Sequence, residues 1–172
     1  QTTANATIAI GHCAGAGNTI TGSDNILVGR SAGFAITTAF NNIFMGVCAG
    51  ANTGIGTDNT FIGSCAGLCT TDGKRSIFIG PNAGKCFTTG QVNIAIGANA
   101  GCSLTTNNTN TIVGNSAGKN TCSGSGNTLY GNNAGCAINT GGCNTVVGRD
   151  AGKQITSGSH NNIFGHFAGC KL

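Results

Sequence analysis

The stretch Asn59-Thr60-Phe61-Ile62-Gly63-Ser64-Cys65-Ala66-Gly67 holds the unit N-T-F-I-G-x-x-A-G, and the rest of the chain is read outward from it. Its central glycine recurs at Gly11, Gly29, Gly46, Gly63, Gly80, Gly97, Gly114, Gly131, Gly148 and Gly165. The first spacing is 18 residues and the next eight are 17. Alanine follows three residues after each, from Ala14 to Ala168, and glycine follows each alanine. Ten copies of G-x-x-A-G in one register describe a stack of equivalent units. We number positions from the recurring glycine as zero.

Position −4 is Asn25, Asn42, Asn59, Asn93, Asn110, Asn127, Asn144 and Asn161, with Thr7 and Ser76 as exceptions. Positions −3 to −1 are rich in β-branched and aromatic residues and are bounded by turn formers, so they predict a short strand. Position −7 is mostly glycine (Gly22, Gly56, Gly73, Gly90), which suggests a left-handed turn residue. A second, weaker strand is expected after the Ala-Gly corner, carrying Ile36, Phe87, Leu104, Ile138 and Ile155.

Strand, corner, strand and turn in 17 residues make one coil of a β-solenoid, with strands of successive coils parallel and about 4.8 Å apart. The expectation is an all-β chain, one solenoid domain over residues 1–172, of ten coils. Asparagines stacked at −4 would hydrogen-bond along the axis. Hairpin propellers or sandwiches are the competing architecture, but a four-stranded blade needs more residues than the repeat offers.

Alternation along a strand puts −1 and −3 on one face and −2 on the other. The reading that fills the coil with −1 and −3 leaves Leu27, Phe44, Phe61, Phe78, Ile112, Leu129, Val146 and Ile163 as an outward stripe. A stripe of that length calls for a partner surface, in a trimer or a filament wall.

Composition narrows the function. Only 7% of residues are charged, and the net charge of +4 is scattered rather than gathered into a basic patch, which points away from nucleic acid. No apolar run approaches the roughly 18 residues of a membrane span. The four carboxylates Asp24, Asp58, Asp72 and Asp150 form no close pair in sequence, and the three histidines have no nucleophile in register. Gly80 to Lys85 has three residues between its glycines where a phosphate loop needs four, and Cys86 where it needs Ser or Thr. No enzyme, cofactor or metal site is expected.

Ten cysteines suggest an oxidising compartment, and the start at Gln1 suggests a processed, exported chain. Cys48 with Cys65, and Cys69 with Cys86, share registers in adjacent coils and are the leading disulfide candidates. Cys102 with Cys122, and Cys136 with Cys143, are weaker ones. Cys102, Cys136 and Cys170 share one position, with Lys85, Lys119 and Lys153 in the coils between. Gln1 placed after Leu172 would space the flanking glycines 18 apart, as in the first repeat. Head-to-tail stacking of copies would then bring Cys13 near Cys170 and His12 near His166. Asn5 and Asn107 begin glycosylation sequons.

The unit N-T-F-I-G-x-x-A-G resembles repeats of phage-type tail-fibre proteins and of bacterial surface proteins that carry them, over essentially the whole chain. It is less closely similar to the head repeats of trimeric autotransporter adhesins, whose coil is shorter. The resemblance implies a β-solenoid, often trimeric, with a structural or adhesive role outside the cell or on a virion. The leading expectation is a structural subunit of an extracellular fibre whose partners are copies of itself. A shaft that binds a surface glycan is the first alternative. An ice-binding solenoid is the second, although its Thr pairs are interrupted at Gly54-Ile55, Asp72, Cys122 and Asn139.

Overall fold

A computed structural model describes residues 6–170. The chain is a β-solenoid of about nine turns, all-β, with no helix among the described residues. Ten three-residue strands run β1 (Ile8–Ile10), β2 (Ile26–Val28), β3 (Ile43–Met45), β4 (Thr60–Ile62), β5 (Ile77–Ile79), β6 (Ile94–Ile96), β7 (Thr111–Val113), β8 (Thr128–Tyr130), β9 (Thr145–Val147) and β10 (Asn162–Phe164). They form one parallel sheet in sequence order. Equivalent repeat positions pair without slip, as Thr60 with Ile77 and Phe61 with Phe78.

The strand is short because the coil turns sharply on both sides of it. Four positions per coil hold positive φ. In coil 4 they are Asp58 at −5, Gly63 at 0, Cys65 at +2 and Gly67 at +4, with φ of 59°, 133°, 57° and 58°. After the strand, successive turn bonds close from Ala66 N to Gly63 O, Leu68 N to Cys65 O and Thr70 N to Gly67 O. The N–H groups between them reach other coils: Cys65 N donates to Val47 O, Gly67 N to Ala83 O and Cys69 N to Lys85 O. Each backbone donor from Cys65 to Thr70 thus goes either to its own turn or to a neighbouring coil.

The expected second strand is therefore absent. Its residues belong to the turn series, and the remaining strand-like pairing is a few isolated parallel bridges at −6, such as Thr57 with Lys74. Left-handed backbone also falls elsewhere than expected. The glycines at −7 lack positive φ, and the position that has it is −5. Glycine stands at −7 for space: a Cβ on Gly124 would lie 2.1 Å from Gly141 O, and one on Gly73 would lie 2.3 Å from the Phe87 ring.

The interior assignment is reversed as well. Leu27, Phe44, Phe61, Phe78, Ile112, Leu129, Val146 and Ile163 are buried in the core, and −1 and −3 face outward. The reason lies in the polar ladder. Asn59 is fully buried, and −4 shares a strand face with −2, so an internal asparagine forces the −2 side chain inward. The corner agrees: a Cβ on Gly67 would stand 2.5 Å from the Phe61 ring.

Core packing is balanced between the −2 and +7 rows. Phe44 and Phe61 share their coils with Thr53 and Thr70, and Phe78 shares its coil with Phe87. Phe44, Phe61 and Phe78 stack at 5.0 and 4.9 Å, and Phe87 meets Phe78 edge-on at 5.0 Å. The coil after this aromatic pair carries Ala95 in the −2 row. Phe44 and Phe61 are offset by threonine within their own coils, and the Phe78–Phe87 pair is offset by the small Ala95 in the next coil, as close packing requires.

Candidate functional site

The surface feature the fold creates is the outer face of the sheet. Positions −3 and −1 of ten coils lie side by side, and none of these twenty residues is charged. Ile8, Ile10, Met45, Ile62, Ile77, Ile96, Tyr130 and Phe164 are exposed there, Ile10 at 60% and Phe164 at 65%. The −3 row turns from isoleucine to Thr111, Thr128 and Thr145 toward the C-terminal coils. An uncharged two-row face survives, apolar along −1 and mainly mixed isoleucine and threonine along −3, but its residues are the neighbours of those expected to form a stripe.

Inside, the asparagine ladder forms as the sequence predicts. Asn25 Oδ1 accepts from Asn42 N and Nδ2 at 3.1 and 3.0 Å. Asn110, Asn127, Asn144 and Asn161 continue the same pattern. Where Ser76 interrupts, its backbone N donates to Asn59 Oδ1 at 3.0 Å, and its hydroxyl accepts from Asn93 N at 3.2 Å. The ladder passes through the serine without losing the backbone contact. Asn107 at −7 is likewise internal: it is 2% exposed, and its Nδ2 donates to Gly124 O at 2.7 Å. In the folded chain the acceptor nitrogen of this sequon is buried and hydrogen-bonded. Asn5 lies outside the described residues.

All ten cysteines are free, which corrects the expected pairings. Residues stacked in parallel register keep their Cβ atoms about as far apart as their strands, about 4.8 Å. A disulfide brings Cβ atoms to about 3.5–4.5 Å. That rule separates Cys48 from Cys65 and Cys69 from Cys86. Cys102 at +5 and Cys122 at +8 occupy different positions of their coils and do not stack. Cys136 donates to Lys153 O, whereas Cys143 pairs its N–H with Ser125 O on another side of the coil. Burial, reinforced by the neighbouring Cys86, pushes the thiols of Cys69 and Cys102 up, and burial does the same for Cys136.

The candidates for a junction between copies stand at opposite ends of the solenoid. His12 lies beside the Cys13 thiol at 3.7 Å. His166 Nε2 takes Arg149 Nε at 3.1 Å and packs against Phe167. Cys170 donates to Asp150 O. The Asp150 carboxylate, bonded to Asn133 Nδ2 and paired with Lys153 Nζ at 3.2 Å, is held below the usual carboxylate range by that hydrogen bond and by the two cations beside it, Lys153 and Arg149. Among the described residues no group of three or more His, Cys, Asp or Glu is placed to hold a metal ion. No helix among them is long and apolar enough to cross a membrane.

The Thr row at +8 is directed along the stack. Thr37, Thr88 and Thr105 hydroxyls donate to the +8 carbonyl of the next coil, at 2.8, 3.2 and 2.8 Å. A shallow cavity occurs at the last complete coil, lined by Gln154, Ile155, Thr156, Ser157, Gly158 and Asn161.

No family model matches the chain, and comparison with curated proteins and with solved structures found no match either, so the likeness to tail-fibre repeats rests on the repeat unit itself.

Proposed function

We propose that the chain is a non-enzymatic shaft, a structural subunit of an extracellular or virion-surface fibre that extends along the solenoid axis. The observation that carries the reading is the unbroken repetition of one coil along one axis: ten strands form a single parallel sheet in sequence order, paired in the same register throughout. The coils repeat one set of backbone bonds, and the asparagine bonds recur except where Thr7 and Ser76 stand, so stiffness is distributed along the rod and no coil is singled out for chemistry. The likeness to tail-fibre repeats supports the extracellular setting.

Negative-stain micrographs of the purified chain test this. On a spacing of about 4.8 Å, ten strands span about 43 Å. Rods several times that length are expected. Particles that stay at single-chain length at high concentration would overturn the reading.

A second reading has a specific observation behind it. Tyr130 and Phe164 are 59% and 65% exposed in one row, with Val147 between them. Exposed aromatics in register suit stacking on sugar rings, so glycan binding is the alternative role for the same shaft. A glycan array with wild type and Tyr130→Ala separates the two.

A further inference from the structure

The outer sheet face is large, uncharged and unpartnered, and its flanks carry charge in an order that selects one occupant. We infer that it packs against the same face of a second copy, with the two solenoid axes parallel and related by a two-fold axis running along them. The inference deepens the shaft reading by naming the shaft's lateral partner.

Size comes first. Three residues per strand at about 3.3 Å make a strip about 10 Å wide, and ten strands make it about 43 Å long. That is roughly 430 Å² per copy, about half of the roughly 800 Å² per partner of a stable interface. The strands alone are insufficient, so the flanking rows at −5 and +1 must take part. Those rows decide orientation.

A two-fold axis along the solenoid sets each coil on the same coil of the partner and reverses the strands. The −5 flank of one copy then faces the +1 flank of the other. In coil 2 this places the exposed Asp24 opposite Arg30 of the partner subunit, and symmetry makes the pair twice. Neither Asp24 nor Arg30 has an ion pair of its own among the described residues. A two-fold axis along the strands instead sets coil 2 on coil 9. The exposed Arg30 then faces the partner's Arg149, a like-charge contact. The apolar side chains of the two faces, isoleucine and the −1 row above all, supply the attraction in either case, and the flanks favour the parallel arrangement.

Light scattering after size exclusion should give twice the chain's mass at micromolar concentration. Ile62→Lys with Ile96→Lys should weaken the dimer at least about tenfold while circular dichroism and melting stay near wild type, because both side chains are already exposed. Asp24→Arg should weaken it, and adding Arg30→Asp should restore it. Arg30→Asp alone should also weaken the parallel dimer, whereas it would strengthen the other one. A photo-reactive benzoylphenylalanine at Tyr130 should cross-link to Thr128–Tyr130 of the partner. Cross-links to Ile43–Met45, a trimer, or a monomer at every concentration would overturn the inference. Long rods of single width would overturn it and keep the shaft reading. Paired particles of single-chain length would do the reverse.

Discussion

Asn42 Oδ1 accepts two hydrogen bonds from Asn59, from its backbone N at 3.0 Å and from its side-chain Nδ2 at 3.1 Å. Asn59 Nδ2 also donates to Gly73 O at 2.7 Å, so one amide ties three coils together. All of these groups are buried, and in the core an unmade bond costs more than a made one contributes.

Asn59→Ala should therefore be severe. It strands Gly73 O and the Ser76 N–H, and at about 1–3 kcal/mol for each unsatisfied group the loss should reach about 2–6 kcal/mol. Asn59→Ser should cost less, because Ser76 already carries the ladder with a hydroxyl. Chemical denaturation of both variants checks the order. Equal losses would mean that the ladder follows from the fold rather than supporting it.

Thr53, Thr70 and Thr121 occupy the apolar +7 row with hydroxyls that are buried and have no hydrogen-bond partner. Valine has nearly the same shape without the polar atom. Thr70→Val should raise stability by about 1 kcal/mol or more. The measurement is the denaturation midpoint at unchanged slope. A drop would show that the hydroxyl is satisfied in solution by a water.

Val92 stands at −5 with φ of 57°, where Asn41 and Asp58 hold the same conformation. A β-branched residue is strained in left-handed backbone, by about 1–2 kcal/mol. Val92→Asn should recover about 1 kcal/mol, and it also removes an exposed apolar side chain. Thermal melts read this directly. A lower melting temperature would place the −5 row outside the left-handed region.

Unfolded without reductant, the chain should show ten reactive thiols. In the native state Cys86, Cys122 and Cys143, all exposed, should alkylate first. Cys69, Cys102 and Cys136 should lag, because burial raises their thiols and the reactive thiolate is scarcer. Timed alkylation followed by peptide mass spectrometry gives the order. Missing thiols in the denatured chain would restore the disulfide reading.

The repeat made much of this legible. A 17-residue period with Asn at −4 and glycine at 0 was enough to place the strands, their parallel register and the polar ladder. Each of those depends only on equivalent residues stacking on one another. The ladder also held the answer to which face was inside, since −4 and −2 share parity, but an apolar −1 and −3 disguised it. Composition treated both faces alike.

What the sequence by itself determined is the coil, its length and its register, because a periodic chain gives every coil the same neighbours. Only the tertiary structure decided how that coil closes. Closing 17 residues requires left-handed backbone at −5, 0, +2 and +4, and residues as unlike as Val92, Cys65 and Asn82 adopt it because the stack over-determines them. Closure turned Phe61 inward and left Ile62 exposed. It kept the stacked cysteines a strand spacing apart, too far to bond. It also balanced Phe61 against Thr70, a trade between distant positions that no single column of the repeat contains.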